Sequence, residues 1–150
     1  MNIEEVMMGN PPICEFLYEA IVDIADIQNL GQSLQGQRFI VNILGGVFNG
    51  PRLKGKVLPG GADRQLLRPD GIKELDALYE IETDDGTVIT VHNQVVVDMP
   101  TPEQRYACSV VKFRAPSGQY EWLNRRVFVG NLESLKPSRN AVKIRIFQVN

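Results

Sequence analysis

The chain is poor in the residues that build metal and redox sites. Its 150 residues include one histidine, His92, and two cysteines, Cys14 and Cys108. One histidine cannot make a His-rich metal site, and no carboxylate stands at a fixed ligand spacing beside it. The cysteines are far apart and form no CxxC pair, so a zinc knuckle is not expected and two free thiols are the plainer reading. No metal and no cofactor are expected. Long apolar runs are also missing: none approaches the roughly 20 residues of a membrane-spanning helix. The opening MNIEEVMMGNPPICEF carries Glu4 and Glu5 where a secretion signal has lysines, and it lacks an apolar core. The expectation is a cytoplasmic protein with no membrane partner. An excess of one charge is absent too. Sixteen Lys and Arg face 18 Asp and Glu, for a net charge of −2. Nucleic acid is therefore not an expected partner, because phosphate binding needs a basic face. The short groups Arg52–Lys54–Lys56 and Arg139–Lys143–Arg145 read as solvated strand faces before they read as anion sites.

What is present is ordinary for a globular chain: 43% hydrophobic and 23% charged residues. The length suits a single domain, residues 1–150, with 1–14 as an N-terminal extension. Such a domain buries roughly 70% of its unfolded surface. Glycine and proline fall between stretches that alternate with period two. FLYEAIVDI places Phe16, Tyr18, Ala20, Val22 and Ile24 on one face. ELDALYEIET places Leu75, Ala77, Tyr79 and Ile81 against Glu74, Asp76, Glu80 and Glu82. RFIVNILGGVF is β-branched and apolar, and its Gly45–Gly46 pair marks a bulge, a bend or a close backbone approach. TVITVHNQVVV, CSVVKFRA, QYEWLNRRVFVG and AVKIRIFQV complete the set. Arg68-Pro69-Asp70-Gly71 and Thr83-Asp84-Asp85-Gly86 read as hairpin turns of one design, and Pro116-Ser117-Gly118 as a third. TPEQRY, with Thr101 as N-cap and Pro102 at the first position, predicts a short helix over Thr101 to Tyr106.

About eight strands joined mostly by short hairpins form a meander, and a meander removes its edges by closing. The predicted fold is all-β: a closed eight-stranded antiparallel up-and-down barrel with one short helix. The strands Arg38–Phe48 and Val88–Val97 are apolar on both faces, so a homo-oligomer is expected.

The string GGVFNGPRLKGKVLPGGADRQLLRPDG, followed by ELDALYEIETDDGTVITVHN and YEWLNRRVFVG, resembles the uncharacterised family catalogued as domain of unknown function 3237. The resemblance runs from about Phe16 to Val149, and its signature LPGGADxQLxRPDG is long. It implies a closed antiparallel barrel similar to the allene oxide cyclase and dirigent barrels, and it implies no known activity. Asp63, Gln65, Asp76, Asn93, Trp122 and Asn124 match the family's polar positions. The chain departs from the pattern at Arg64, where tryptophan is expected. It departs again at Leu78, His92 and Cys108, where arginine is common.

Each matching residue has two readings. Asp63 and Gln65 share a strand face, so both project into the barrel mouth or Asp63 caps the Pro59-Gly60-Gly61 turn. Asp76 is a second candidate acid or base, or one of a solvated row of carboxylates. Asn93 shares a face with Ile89, Val91 and Val95, so its amide needs a partner in the backbone or in a ligand. Trp122 and Asn124 fall with Tyr120, Arg126 and Phe128 on one face, which suits a ligand pocket or a dimer interface. His92 reads as a hydrogen-bonded strand histidine.

No Ser–His–Asp order, phosphate loop, Rossmann glycine pattern or HExxH is present, and GGVFNG lacks the strand–loop–helix context of a phosphate site. The leading expectation is a barrel that binds a small apolar or amphipathic ligand in its lumen, held by Gln65, Asn93, Trp122 and Asn124. The alternative is a metal-free cyclase, isomerase or hydratase that uses Asp63 or Asp76 as acid or base. The third is a structural oligomer with a filled lumen.

Overall fold

The protein is described by a computed structural model that covers residues 2–4 and 9–150. The period-two stretches become strands: β1 (Cys14–Ile24), β2 (Gln28–Ser33), β3 (Gly36–Asn49), β4 (Lys54–Val57), β5 (Ala62–Leu67), β6 (Lys73–Thr83), β7 (Val88–Thr101), β8 (Gln104–Arg114), β9 (Val127–Ser134) and β10 (Ala141–Val149). These ten strands make eight staves of one closed antiparallel barrel. β1 and β2 lie end to end along one side of β3, and β4 and β5 lie end to end along its other side. From there the chain meanders through β6 to β10, and β10 pairs with β1.

Closure happens where β1 meets β3. Ala20 pairs with Phe48 and Val22 with Gly46, and the register slips beyond Asp23 so that Ile24 faces Ile43. The slip is the bulge that Gly45–Gly46 announces. Both glycines sit at φ +147, and a Cβ on Gly46 would stand 2.1 Å from the carbonyl oxygen of Ile21. Only glycine lets the two backbones meet there.

Two hairpins share one design. Arg68 N–H donates to the Ile72 carbonyl at 2.8 Å, Gly71 N–H to the Arg68 carbonyl at 3.0 Å, and Asp70 accepts from Ile72 N–H. Thr83 to Thr87 repeat the pattern, with Asp85 and Gly86 in the same places. Gly71 and Gly86 take φ +90 and +88, the left-handed place after a type I turn.

Two local expectations are corrected. TPEQRY is no helix: Thr101 pairs with Gln104 across the turn that joins β7 to β8. A six-residue helix gains too few hydrogen bonds to outcompete the ladders on either side. QYEWLN is no strand: Glu121–Arg125 form a 3-10 helix inside the long link from β8 to β9. Thus Pro116-Ser117-Gly118 does not close a hairpin.

The lumen is filled at one end only. Around the 3-10 helix, Tyr18 packs on Phe48 with ring centroids 5.1 Å apart, and Phe113 meets Phe128 edge-on at 4.9 Å. Leu17, Leu123, Ile81, Ile89 and Val91 complete this floor, all nearly solvent-free. Outside, Leu44, Val47, Val96 and Val110 are each about half exposed, so the two-sided apolar strands do leave apolar surface on the barrel wall.

Gly46→Ala is expected to lower stability by roughly 3 kcal/mol or more, from backbone strain and overpacking together. Gly60→Ala is the comparator. Its φ is +107 but nothing lies within 4 Å of the added Cβ, so only strain of about 1–2 kcal/mol is expected. Denaturant unfolding of the two variants checks this; equal losses would show that the β1–β3 seam is not the tight point.

Candidate functional site

The open half of the lumen is built from belts of paired residues. Val41, Asp63, Ala77, Asn93 and Val111 are successive cross-strand partners on β3, β5, β6, β7 and β8. One step nearer the rim, Gln65, Leu75 and Val95 form the next belt. Ala77 lies between Asp63 and Asn93, and its small side chain leaves space that a larger residue would fill. The result is a cavity of about 90 Å3 lined by Asp63, Gln65, Tyr79 and Asn93 among Val, Ile and Leu side chains. It adjoins a wider mouth of about 330 Å3, with which it shares Val41, Gln65 and Leu75.

Gly61 helps place the aspartate. A Cβ there would lie 2.4 Å from that of Tyr79, so the backbone before β5 presses directly on β6. β5 then starts in register, with Asp63 and Gln65 inward and Arg64 exposed. Gln65 Nε2 donates to Asp63 Oδ2 at 2.8 Å. This bond fixes the carboxyl and leaves Asp63 Oδ1, buried and unpartnered, free to meet a ligand.

Three groups on the cavity wall share that condition. Asp63 Oδ1, Gln65 Oε1 and Asn93 Oδ1 are buried without a hydrogen-bond partner among the described residues. The buried Tyr79 and Tyr18 hydroxyls have only each other within reach. A buried unsatisfied polar atom costs about 1–3 kcal/mol. Such a cluster in an apolar chamber fits a site kept ready for polar groups of a ligand.

Asp63 is electrostatically unusual. Burial raises its pKa from 3.8 to about 6; the Gln65 bond, the Asp76 main chain and the charge of Lys73 oppose the rise. Tyr79 is raised chiefly by burial; its contact with the Tyr18 hydroxyl opposes the rise and the charge of Asp63 adds to it. Tyr18 is raised by burial first and then by Tyr79. Both phenols stay neutral donors at any physiological pH. The chamber therefore combines a carboxyl poised between its two forms with neutral hydrogen-bonding groups, the equipment for moving a proton.

The structure brings Asp63, Gln65 and Asn93 together and places the other three candidates elsewhere. Asp76 is on the outer wall. Its Oδ1 contacts His92 Nε2 at 2.7 Å, and its Oδ2 accepts weakly from Gln94 at 3.4 Å. Inward and outward residues alternate along β6, and Ala77 and Tyr79 take the inward positions. Asp76 is thus no lumenal acid. Trp122 and Asn124 belong to the 3-10 helix at the filled end. Trp122 lies under the Arg52 guanidinium, 3.7 Å from its ring centroid. Asn124 spends its amide on the backbone: Oδ1 accepts from Ala115 N–H at 3.0 Å, and Nδ2 donates to the Ala115 and Glu121 carbonyls. Both residues close the barrel floor and do not line the cavity. Among the described residues, no group of three or more His, Cys, Asp or Glu is placed to hold a metal ion.

Three contributors are not singled out by sequence reading: Tyr79, which reads as core, the space-making Ala77, and Lys73. The signal for Lys73 is available. Counting back by twos from Tyr79 through Ala77 and Leu75 puts Lys73 on the inward face, at the rim.

Residues 12–149 match the family described as Protein of unknown function (DUF3237). A UPF0311 protein of Rhodopseudomonas palustris (strain TIE-1) is 33% identical over 130 residues, covering 78% of this chain and 85% of that protein. The crystal structure of a beta-barrel like protein from Acinetobacter baumannii AYE aligns with a TM-score of 0.87 at 31% identity, over 94% of this chain and 98% of that one. A Penicillium herquei protein named hydroalkoxylation enzyme phnH is 30% identical over 114 residues, covering 76% of this chain and 70% of that protein. With its signature around Asp63, its closed barrel and these relatives, the chain belongs to the DUF3237 family of proteins of unknown function.

Proposed function

We propose that the chain is an enzyme that adds an O–H group across a carbon–carbon double bond of a small, largely apolar molecule, with Asp63 as the proton carrier. The observation that carries this reading is Asp63 itself: an inward carboxyl, its pKa raised to about 6, held by Gln65 on one oxygen and unpartnered on the other. The relative named hydroalkoxylation enzyme supports the reaction class.

The chemistry balances with one carboxyl. Neutral Asp63 gives its proton to one alkene carbon. The substrate's hydroxyl oxygen, or that of water, bonds to the other carbon. The hydroxyl proton then returns to the Asp63 carboxylate. One C=C π bond and one O–H bond are lost, one C–H and one C–O bond form, and nothing is oxidised or reduced. Asn93 Oδ1, unpartnered on the cavity wall, accepts from the attacking hydroxyl in this reading and so orients it. The Tyr79 hydroxyl is a neutral donor for charge that develops beside the carboxyl. The apolar wall excludes bulk water and raises the fraction of Asp63 that carries its proton. A carrier that binds and releases its ligand unchanged is the second reading. It is favoured by the unpaired Gln65 and Asn93 oxygens, which any bound polar group that donates would satisfy.

Ortho-prenylphenol, whose internal addition gives a dimethylchroman, is a direct probe. Chromatography should detect the cyclic ether with wild-type protein. Asp63→Asn should cut the rate by about a hundredfold or more, the scale of general acid–base catalysis. The acid form is needed, so kcat/KM should fall as pH rises through about 6. Full turnover in a folded Asp63→Asn variant would overturn the reading; probe that binds and is released unchanged would leave the carrier.

The same shift has a sign for stability. Asp63 is raised in the folded state, so its contribution is fully present below pH 3.8 and is lost as pH rises through about 6. At pH 8 the buried charge costs about 3 kcal/mol. Asp63→Asn removes that cost. Its Tm relative to wild type should be higher at pH 8 than at pH 4 by roughly 5–10 °C. Thermal melts at the two pH values check this, and a difference independent of pH would contradict it.

A further inference from the structure

The mouth of the cavity differs in charge from its floor. Lys73, Arg105 and Lys136 come to the mouth from β6, from β8 and from the link between β9 and β10, and no carboxylate among the described residues lines it. The surfaces between them are apolar, among them Val97, Met99 and Leu132. On the barrel wall, Lys54, Lys56 and Arg145 are paired with Asp84, Glu82 and Glu19. None of the three rim cations forms an ion pair among the described residues. Arg105 is aimed: its Nη1 donates to the Leu132 carbonyl at 2.8 Å, which fixes the guanidinium at the edge of the opening. Lys73 is half-buried, with its ammonium 5.6 Å above the Phe39 ring. Burial depresses its pKa, the charge of Asp63 deeper in the lumen opposes this, and the like charge of Lys136 adds to it. Three cations around an apolar neck repel one another and lose hydration, and an anion at their centre relieves both costs.

We propose that Lys73, Arg105 and Lys136 form an oxyanion-binding rim, so that the substrate is an amphipathic anion whose apolar, double-bonded body reaches down to Asp63. This rests on the reading of the lumen as a substrate site. The rim assigns the substrate's orientation. Its carboxylate or phenolate stays at the mouth, where the cations are, and away from Asp63, whose ionised form would repel it. It also assigns specificity: a neutral molecule of the same shape leaves the rim cations unpaired.

Two fluorescent dyes of one skeleton separate these effects: anilinonaphthalene sulfonate, an anion, and N-phenylnaphthylamine, which lacks the sulfonate. At neutral pH, wild-type protein should bind the sulfonate about tenfold or more tightly than the neutral amine, the scale of a charge-assisted hydrogen bond. Lys73→Gln with Lys136→Gln should cut that preference to the part that Arg105 holds alone, while leaving the affinity for the neutral dye. Lys73→Arg, which keeps the charge, should retain it, and so should Lys112→Gln on the outer wall. Equal binding of the two dyes by wild-type protein, or a preference undiminished by the double substitution, would overturn the oxyanion rim and leave the lumenal site standing. Binding of neither dye would remove the lumenal site and the rim together. Thermal melts of each variant confirm that it is folded, and the single substitutions Lys73→Gln and Lys136→Gln, each expected to lose part of the preference, carry the test if the double variant is not.

Discussion

Closure of the sheet is the constraint on which everything else depends. β1 pairs with β10 on one side and with β3 on the other, so the sheet closes on itself, and only the short β2, paired with β3 alone, continues past the seam. The pairing to β3 requires the backbones at Ile21 and Gly46 to approach more closely than any side chain permits. Once the wall closes, every inward residue faces a common lumen. Inward polar groups then become neighbours even when they are far apart in the chain, as Asp63 on β5 and Asn93 on β7 are.

What fills that lumen decides whether it can do chemistry. Eight staves leave an interior that side chains can just fill. At one end Tyr18, Phe48, Phe113 and Phe128 do so, with the 3-10 helix and Trp122 as a plug. At the other end the belt residues shrink to Val, Ala and Asn, and a chamber remains. The aromatic floor and the chamber are one design. The packed half carries the stability that lets the open half hold unpaired oxygens and a carboxyl that burial disfavours as an anion. The electrostatic gradient follows the same axis: neutral phenols at the bottom, a titrating carboxyl above them, cations at the rim.

Alternation made much of this legible. In ELDALYEIET it separates Tyr79 and Ala77 from Asp76 and Glu80, and the barrel keeps that separation. In ADRQL it puts Asp63 with Gln65 and sends Arg64 outward. The errors have a common cause. TPEQRY carries good helix-start residues, yet long β-ladders on both sides outweigh a six-residue helix. YEWLN alternates as a strand would, but it lies in a link with no neighbouring strand edge to pair with, and Asn124 folds it into a 3-10 turn by bonding Ala115. Trp122 and Asn124 look like pocket residues only if they are on a strand. Off the strand they are a plug and a clasp.

The sequence by itself determined the period of most strands, the turns at Arg68–Gly71 and Thr83–Gly86, the glycine pair as a bulge, bend or close approach, and the inward face of strands with clean alternation such as β6. These follow from local physics: side chains alternate, Asp and Gly favour particular turns, and a missing Cβ permits close approach. It did not determine which inward positions meet around the barrel, how far up the lumen the aromatic packing reaches, or that Lys73, Arg105 and Lys136 share one opening. Those depend on stagger between strands remote in the chain, and only the closed wall sets that stagger. The raised pKa of Asp63 belongs with them, because desolvation is a property of all the surroundings of a group and not of its neighbours in sequence.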